Sequence, residues 1–335
     1  MIDRIEALCA LPGVSGREDA VRAFIEKEIA SHCETKTDPL GNLIAFKKGA
    51  ARPRRRVLLD AHMDEVGLFI TGVTDSGLLR FATAGGIDPK VLHGRRVKVG
   101  NRYGVIGVKP VHLMDEEERR KPSSAAGLLI DIGAKDKEEA LNWNLIGETA
   151  VFDSRFLRLG DKITGKALDD RIGCALLMEM IGKEQPYDLW FSFSVQEELG
   201  TRGAKTAAFS VDPDCAVVVE TTTAADIPGV EEGKRVCLLG NGPAVSFLDG
   251  GTCYDRELYS LCFAEAEKAG IPIQPKAAAT GGNNAQAIHV NKGGVRTLAL
   301  SIPCRYLHGP YGMADVRDIA ALSSLLPVMA ARMAE

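Results

Sequence analysis

The chain has 335 residues, 45% hydrophobic and 26% charged, with a formal net charge of -4 at pH 7. That length leaves room for about two domains of ~100–200 residues, and the acidic balance argues against a nucleic-acid surface, which needs a clustered basic excess. The start, Met1-Ile2-Asp3-Arg4-Ile5-Glu6, mixes charge with apolar residues, so no secretory leader is expected, and no apolar run reaches the ~18–20 residues of a membrane span.

The 8 cysteines are scattered, without a CxxC pair. They read as reduced, mostly buried thiols in a cytoplasmic protein rather than as a disulfide framework or a thiolate zinc site. The basic run Arg52-Pro53-Arg54-Arg55-Arg56 reads as a solvated turn.

In chain order, Ser15-Gly16-Arg17-Glu18 has the S-x-x-E form of a capping box, and Val21, Phe24, Ile25 and Ile29 follow at helical spacing. Asp38–Asn42 is a predicted turn before a short strand, Leu43–Phe46. Val57-Leu58-Leu59 is a predicted buried strand running into the polar stretch Asp60–Glu65. From Gly67 to about Lys162 the texture changes to short β-like runs (Leu68–Val73, Leu78–Ala82, Arg96–Val99, Val105–Val108) separated by glycine turns, the spacing of a small barrel or sandwich. Within it the charge run Asp115–Lys121 is expected to be a mobile surface loop.

Alternation then resumes with a helix at Asp169–Lys183, a strand at Leu189–Val195, a short helix near Arg202–Ala208 and a strand at Ala216–Val219. A long helix near Asp255–Ala269, a strand at Thr297–Ile302 and a C-terminal helix from about Asp315 complete the pattern. The fold class is therefore α/β, a sheet covered by helices, with an all-β module inserted after Val57–Leu59.

Among 6 histidines, His32, His93, His112 and His289 lack suggestive carboxylate partners and read as structural or surface residues. His62-x-Asp64 follows a buried strand, where a histidine can ligate a metal while a carboxylate fixes its other ring nitrogen. Asp169-Asp170 opens a helix; it is either an N-cap with a favourable dipole or a bridging carboxylate with an orienting neighbour. Glu197-Glu198 follows the strand Trp190–Val195, as solvated charge in a first helical turn or as a metal ligand beside a general base. Glu220 ends the predicted strand Val217–Val219 as a turn residue or a ligand, and His308 lies in the loop beyond the strand Leu298–Ile302. Each signal alone is weak. Together, four of these five positions follow the carboxyl ends of predicted strands, where open α/β sheets bind ligands, and a donor set of histidines and carboxylates without cysteine suits zinc, cobalt or manganese.

Ala61-His62-Met63-Asp64-Glu65-Val66-Gly67, Gly165-Lys166-Ala167-Leu168-Asp169-Asp170-Arg171, Val195-Gln196-Glu197-Glu198-Leu199-Gly200 and Arg305-Tyr306-Leu307-His308 resemble, in order and spacing, the glutamyl aminopeptidase family. This family includes the TET peptidases and deblocking aminopeptidases. The resemblance implies a zinc-exopeptidase-like catalytic domain over residues 1–66 and 163–335. It also implies an inserted β-barrel-like dimerisation domain over 67–162, and homo-oligomers built from dimers, dodecamers in many members. It implies two divalent metal ions, zinc or cobalt with manganese as a third choice. His62, Asp169 and Glu220 would hold one ion; Asp169, Glu198 and His308 would hold the other. Glu197 would be the general base acting on a bridging water, Asp64 would orient His62, and the Asp169-Asp170 peptide would be cis. Two positions depart from the family: many members carry aspartate where Glu220 stands, and Gly281-Gly282-Asn283-Asn284-Ala285 replaces a Gly-Gly-Thr-Asp-Ala stretch. Asn284 is thus expected to remove a negative charge near the site and alter substrate preference. The expected activity is removal of N-terminal residues from peptides. The rivals are a deacylase of small N-acyl compounds with the same centre, and a catalytically inactive metal-binding scaffold. No membrane partner is expected.

Overall fold

The computed structural model describes residues 1–116 and 124–335. Of the charge run Asp115–Lys121, residues 117–121 therefore lie outside the described residues.

A large mixed sheet forms the frame, running edge to edge through Glu34–Thr37, Leu43–Lys47, Leu189–Ser194, Val57–His62, Cys215–Thr223, Arg296–Arg305, Gly312–Asp315, Lys162–Gly165 and Leu157–Leu159. Its four central strands, from Leu189–Ser194 to Arg296–Arg305, are mutually parallel, and the flanking strands are antiparallel. Strands buried on both faces need apolar residues at successive positions, and every residue of Val57–His62 is buried. The period of two divides them between faces. Leu59, Ala61, Val217 and Val219 pack with the helices Ile2–Ala10, Asp19–Ile29, Leu168–Ile181, Arg256–Ala269 and Val316–Ala334. Leu58, Ala216 and Val218 meet Arg202–Val211 and Ala285–Ile288 on the other face.

A closed six-stranded antiparallel barrel stands apart from this sheet, in the order Gly67–Val73, Leu79–Ala84, Leu129–Asp131, Arg102–Gly107, Arg96–Val99 and Thr149–Phe152. Leu68, Ile70, Leu79, Phe81, Val97, Val99, Ile106 and Ile130 fill it. Gly104 is required by packing, since a Cβ there would lie 2.7 Å from Ile130 and 2.9 Å from the Asp131 carbonyl. After Phe152 the chain returns to the large sheet at Leu157–Leu159 and Lys162–Gly165.

Ser15 does not close a capping box. The helix begins at Asp19 after Glu18, with no side-chain cap, because Ser15 Oγ donates instead to Asp64 Oδ2 at 2.6 Å. Among the described residues no helix is long and apolar enough to cross a membrane.

Candidate metal centre

The parallel strands end on one side of the sheet, and their carboxyl ends deliver the acids and histidines. His62 is the last residue of its strand, next to Ser194 of the neighbouring strand. Glu197 and Glu198 follow Ser194 in a tight turn rather than in a helix. Glu220 is not a strand end: its strand continues to Thr223, paired through Glu220–Ser301. His308 sits in the turn beyond Arg296–Arg305. Asp169 and Asp170 stand at the start of Leu168–Ile181 with non-helical backbone and a cis peptide between them.

These side chains converge. Donor atoms of His62, Asp169 and Glu220 all lie within 4.8 Å of one another, as do those of Asp169, Glu198 and His308. His62 Nε2 is 3.2 Å from Asp169 Oδ1 and 3.5 Å from Glu220 Oε1. His308 Nε2 is 3.2 Å from Glu198 Oε1 and 3.5 Å from Asp169 Oδ2. Asp169 thus presents one oxygen to each group.

Each histidine is anchored through its other nitrogen. His62 Nδ1 lies 3.1 Å from the Asp64 carbonyl and 3.4 Å from the Asp64 carboxylate, and His308 Nδ1 is 3.0 Å from the Gly86 carbonyl. Such contacts fix tautomer and ring orientation and leave Nε2 facing a cation. Gly86 belongs to the turn leaving the barrel strand Leu79–Ala84. The adjacent Gly85 has φ +81, and a Cβ there would meet Val66 at 2.7 Å and Glu198 at 3.2 Å. The barrel therefore touches the centre through a turn that has no room for side chains.

Asp64, fully buried, does more than face His62. Its carboxylate accepts from Ser15 Oγ, from Glu197 N at 2.9 Å and from Glu198 N at 3.1 Å, tying the acidic turn to the His62 strand. Glu18 holds the same turn from outside, its Oε1 accepting from Gly16 N at 2.6 Å and Gln196 N at 3.1 Å. Ala167, Gln196 and His308, all near donors, have φ of 54°, 54° and 57°, the kind of local backbone cost that persists where a site is over-determined. Below, Glu65 takes Lys166 Nζ at 2.7 Å, and Arg171 donates to the Met63 and Leu8 carbonyls.

Asp170 makes no hydrogen bond to Asp169 among the described residues. Its Oδ1 accepts from Gly173 N, and its Oδ2 is buried without a hydrogen-bond partner among the described residues. Asn284 lies behind the strand ends, bonded to Ser194, the neighbour of His62. It is fully buried, donating to Asp60 Oδ2 at 2.7 Å and Ser194 Oγ at 2.8 Å. Asp60 is already pushed up to about 6 by burial, so an aspartate at 284 would set two buried carboxyls together. The residue facing the cleft is its neighbour Asn283.

The electrostatics show what the donors lack. Burial, reinforced by Asp169, pushes Glu220 up to about 8. Burial, with Glu220, Glu198 and Asp169 nearby, raises Glu197 well above the ordinary carboxyl range. Burial opposes charge on His308 and His62 too, but their carboxylate neighbours win, raising His308 to about 11 and His62 well above its usual value. The hydrogen bonds from His308 and His62 hold Asp169 low against its burial. A crowd of buried like charges wants cations, and two compact sets of imidazole and carboxylate donors around a shared carboxylate fit divalent ions of the zinc, cobalt or manganese type.

Beside the donors opens a cleft of about 400 Å³ lined by His62, Asp169, Glu197, Glu220 and His308, together with Thr221–Thr223, Lys276, Thr280, Asn283 and Ser301. Sequence reasoning missed the threonines, Lys276 and Asn283 as lining residues. The threonines continue the strand that carries Glu220, whereas Lys276 and Asn283 come from loops distant in sequence and carry no spacing signal.

A family model described as M42 glutamyl aminopeptidase matches residues 41–325. The lysyl aminopeptidase of Pyrococcus furiosus is 36% identical, covering 92% of this chain and 90% of that one. An aminopeptidase from the archaeon Desulfurococcus kamchatkensis has a TM-score of 0.92 and 35% identity over 97% of this chain and 93% of its own. The TET1 peptidase of Pyrococcus horikoshii has a TM-score of 0.87 and 36% identity over 98% of both chains. The chain belongs to the M42 glutamyl aminopeptidase family and is a peptidase.

Proposed function

We propose that this peptidase removes N-terminal residues from peptides with a dinuclear centre. The observation that carries the reading is the pair of donor groups sharing Asp169, with Glu197 beside them in the cleft but in neither group. His62, Asp169 and Glu220 would hold one divalent ion and Asp169, Glu198 and His308 the other, zinc or cobalt being favoured and manganese third. When bound, such ions would supply Lewis acidity to the scissile carbonyl and would lower the pKa of the attacking water. Glu197 then takes a proton from the attacking water as the new C–O bond forms, and gives it to the leaving amine as the C–N bond breaks. Asp64 acts one step removed, holding His62 through its ring and Glu197 through its backbone.

Residues 1–66 and 163–335 form the catalytic unit in this reading, and 67–162 form the module through which subunits pair. Two features support a homo-oligomer. Tyr103 and Val105, two apart on one barrel strand and so on one face, are 62% and 44% exposed. The TET1 relative is described as assembling into a tetrahedron or a large octahedral shell. A cytoplasmic location is supported by the 8 free cysteines, as expected in a reducing compartment.

The test supplies zinc, cobalt or manganese to the purified protein and offers unblocked peptides beside N-acyl amino acids. Release of N-terminal residues from the unblocked peptides alone is expected. Cleavage confined to the N-acyl compounds would make the protein a deacylase, and cleavage of neither would leave a metal-binding scaffold.

A further inference from the structure

His308 differs from His62 in how the chain carries it. His62 stands on a central strand with its side chain 1% exposed, whereas the His308 side chain is 35% exposed and rides on the turn between Arg305 and Gly312. That turn bends through two non-glycine residues with positive φ, Tyr306 at 60° and His308 at 57°. Such a backbone persists only where its surroundings hold it. One hold is the Gly86 carbonyl, 3.0 Å from His308 Nδ1, and another is Leu307, packed against the core of the large sheet. A third lies at the root of the turn.

Arg305 is the last residue of the strand Arg296–Arg305 and takes no part in the chemistry proposed above. Its guanidinium grips the Asp226 carboxylate twice, Nε donating to Oδ1 at 2.6 Å and a terminal nitrogen donating to Oδ2 at 2.9 Å. Asp226 is itself fixed, because its Oδ2 also accepts from Leu239 N at 3.0 Å. The segment around Asp226 continues the strand that carries Glu220. It is stitched down on both sides, Ala224 N donating to the Cys304 carbonyl at 3.0 Å and Ala277 N to the Val236 carbonyl at 2.8 Å. Val236, Leu307 and His308 all line the cleft. The fork therefore ties the root of the His308 turn to the continuation of the Glu220 strand.

The plain alternative is a staple that serves stability alone. A partly exposed ion pair contributes little to stability, and the Arg305 side chain is 25% exposed. The two strands are also already joined here by the pairing of Thr223 with Cys304. What a planar fork adds is direction as well as distance. It adds it at the residue where extended strand gives way to the left-handed backbone of Tyr306.

We infer that Arg305 and Asp226 are a positioning pair that sets His308 against Asp169 and Glu198, and so governs that donor group and not the one formed by His62, Asp169 and Glu220. The inference rests on the dinuclear reading above and adds to it a control point outside the ligands. Without the fork the turn relaxes, the ring leaves the Gly86 carbonyl, and one ion is held less well.

Metal-free wild type, Arg305→Met, Arg305→Lys, Asp226→Asn and His308→Ala are titrated with zinc in a calorimeter. Arg305→Met and Asp226→Asn should each weaken one of the two ions by about 10-fold, the lower end of what partners that orient a ligand are worth, with the other ion held as in wild type. Arg305→Lys keeps the charge without the fork and should fall between. Adding Arg305→Met to His308→Ala should cost nothing further, since the pair acts through that ring. Equal weakening of both ions, wild-type affinity for both in Arg305→Met, or a further loss in the double variant overturns the inference. Histidine ring NMR spectra of the metal-free proteins give a readout that needs no ion. The His308 signals, identified by their absence from His308→Ala, should shift and broaden in Arg305→Met while those of the other histidines stay in place. That result supports the inference even if wild type binds a single ion, an outcome that would sink only the dinuclear reading. Unmoved His308 signals overturn it.

Discussion

In the barrel between Gly67 and Phe152 the buried cluster is apolar throughout, whereas at the carboxyl edge of the large sheet His62, Asp64, Glu65, Asp170 and Arg171 are each 2% exposed or less. The barrel is closed on itself, whereas the sheet edge opens onto the cleft beside the donors. The barrel gains stability by removing hydrocarbon from water and pairing every edge. The sheet edge keeps charges out of water, which is unfavourable unless each has a partner. The contrast teaches where substitution should act: on stability in the barrel, on metal and turnover at the sheet edge. The two meet at Gly85–Gly86, where a barrel turn gives His308 its backbone acceptor.

The largest expected effect is at the edge. Glu197→Gln removes the proposed proton acceptor and none of the proposed ligands, so turnover should fall ~10²–10⁴-fold with metal content unchanged. Near-normal turnover at full metal occupancy would remove Glu197 as the base.

Ile130→Ala acts in the barrel core, where Ile130 is wholly buried. It should cost about 2–5 kcal/mol of unfolding free energy, measured by denaturant titration, while metal content per subunit stays at the wild-type value. Loss of metal in the folded variant would show that barrel and centre are not separable and that the Gly86 contact couples them tightly.

The smallest effect concerns Glu18, which braces the acidic turn. Burial raises its carboxyl from an ordinary 4.5 to about 7. The folded protein then keeps a proton that the unfolded chain has released, so this group's contribution to stability is present below the lower value and is lost as pH rises through the upper one. Glu18→Gln keeps an acceptor for Gly16 and Gln196 and should lack that fall. Unfolding curves on the metal-free proteins near pH 5 and near pH 8 compare the two slopes; parallel slopes would show that Glu18 does not titrate in this window.

Much of this was legible in the sequence because strand ends are marked locally. The apolar run Val57–Leu59, ending in the polar stretch that holds His62, and the strand before Glu197 announce both a sheet and its functional edge, and glycine-bounded short strands announce a barrel or sandwich. What was not legible depends on partners far away in the chain. Ser15-x-x-Glu18 has the spacing of a capping box, but Asp64, 49 residues on, takes the hydroxyl. Glu220 lies within its strand because Ser301 and its successors extend the pairing to Thr223. The partners of Asn284, Asp60 and Ser194, lie 224 and 90 residues away, and Lys276 reaches the cleft from a loop with no pattern of its own.

The central claim is that Asp169 serves two ions and Glu220 only one. Metal content per folded subunit, measured after dialysis on wild type, Glu220→Ala and Asp169→Ala, tests it most directly. The account predicts two ions in wild type, one in Glu220→Ala and essentially none in Asp169→Ala. Two tightly held ions in Glu220→Ala, or one retained in Asp169→Ala, would contradict the shared-carboxylate centre.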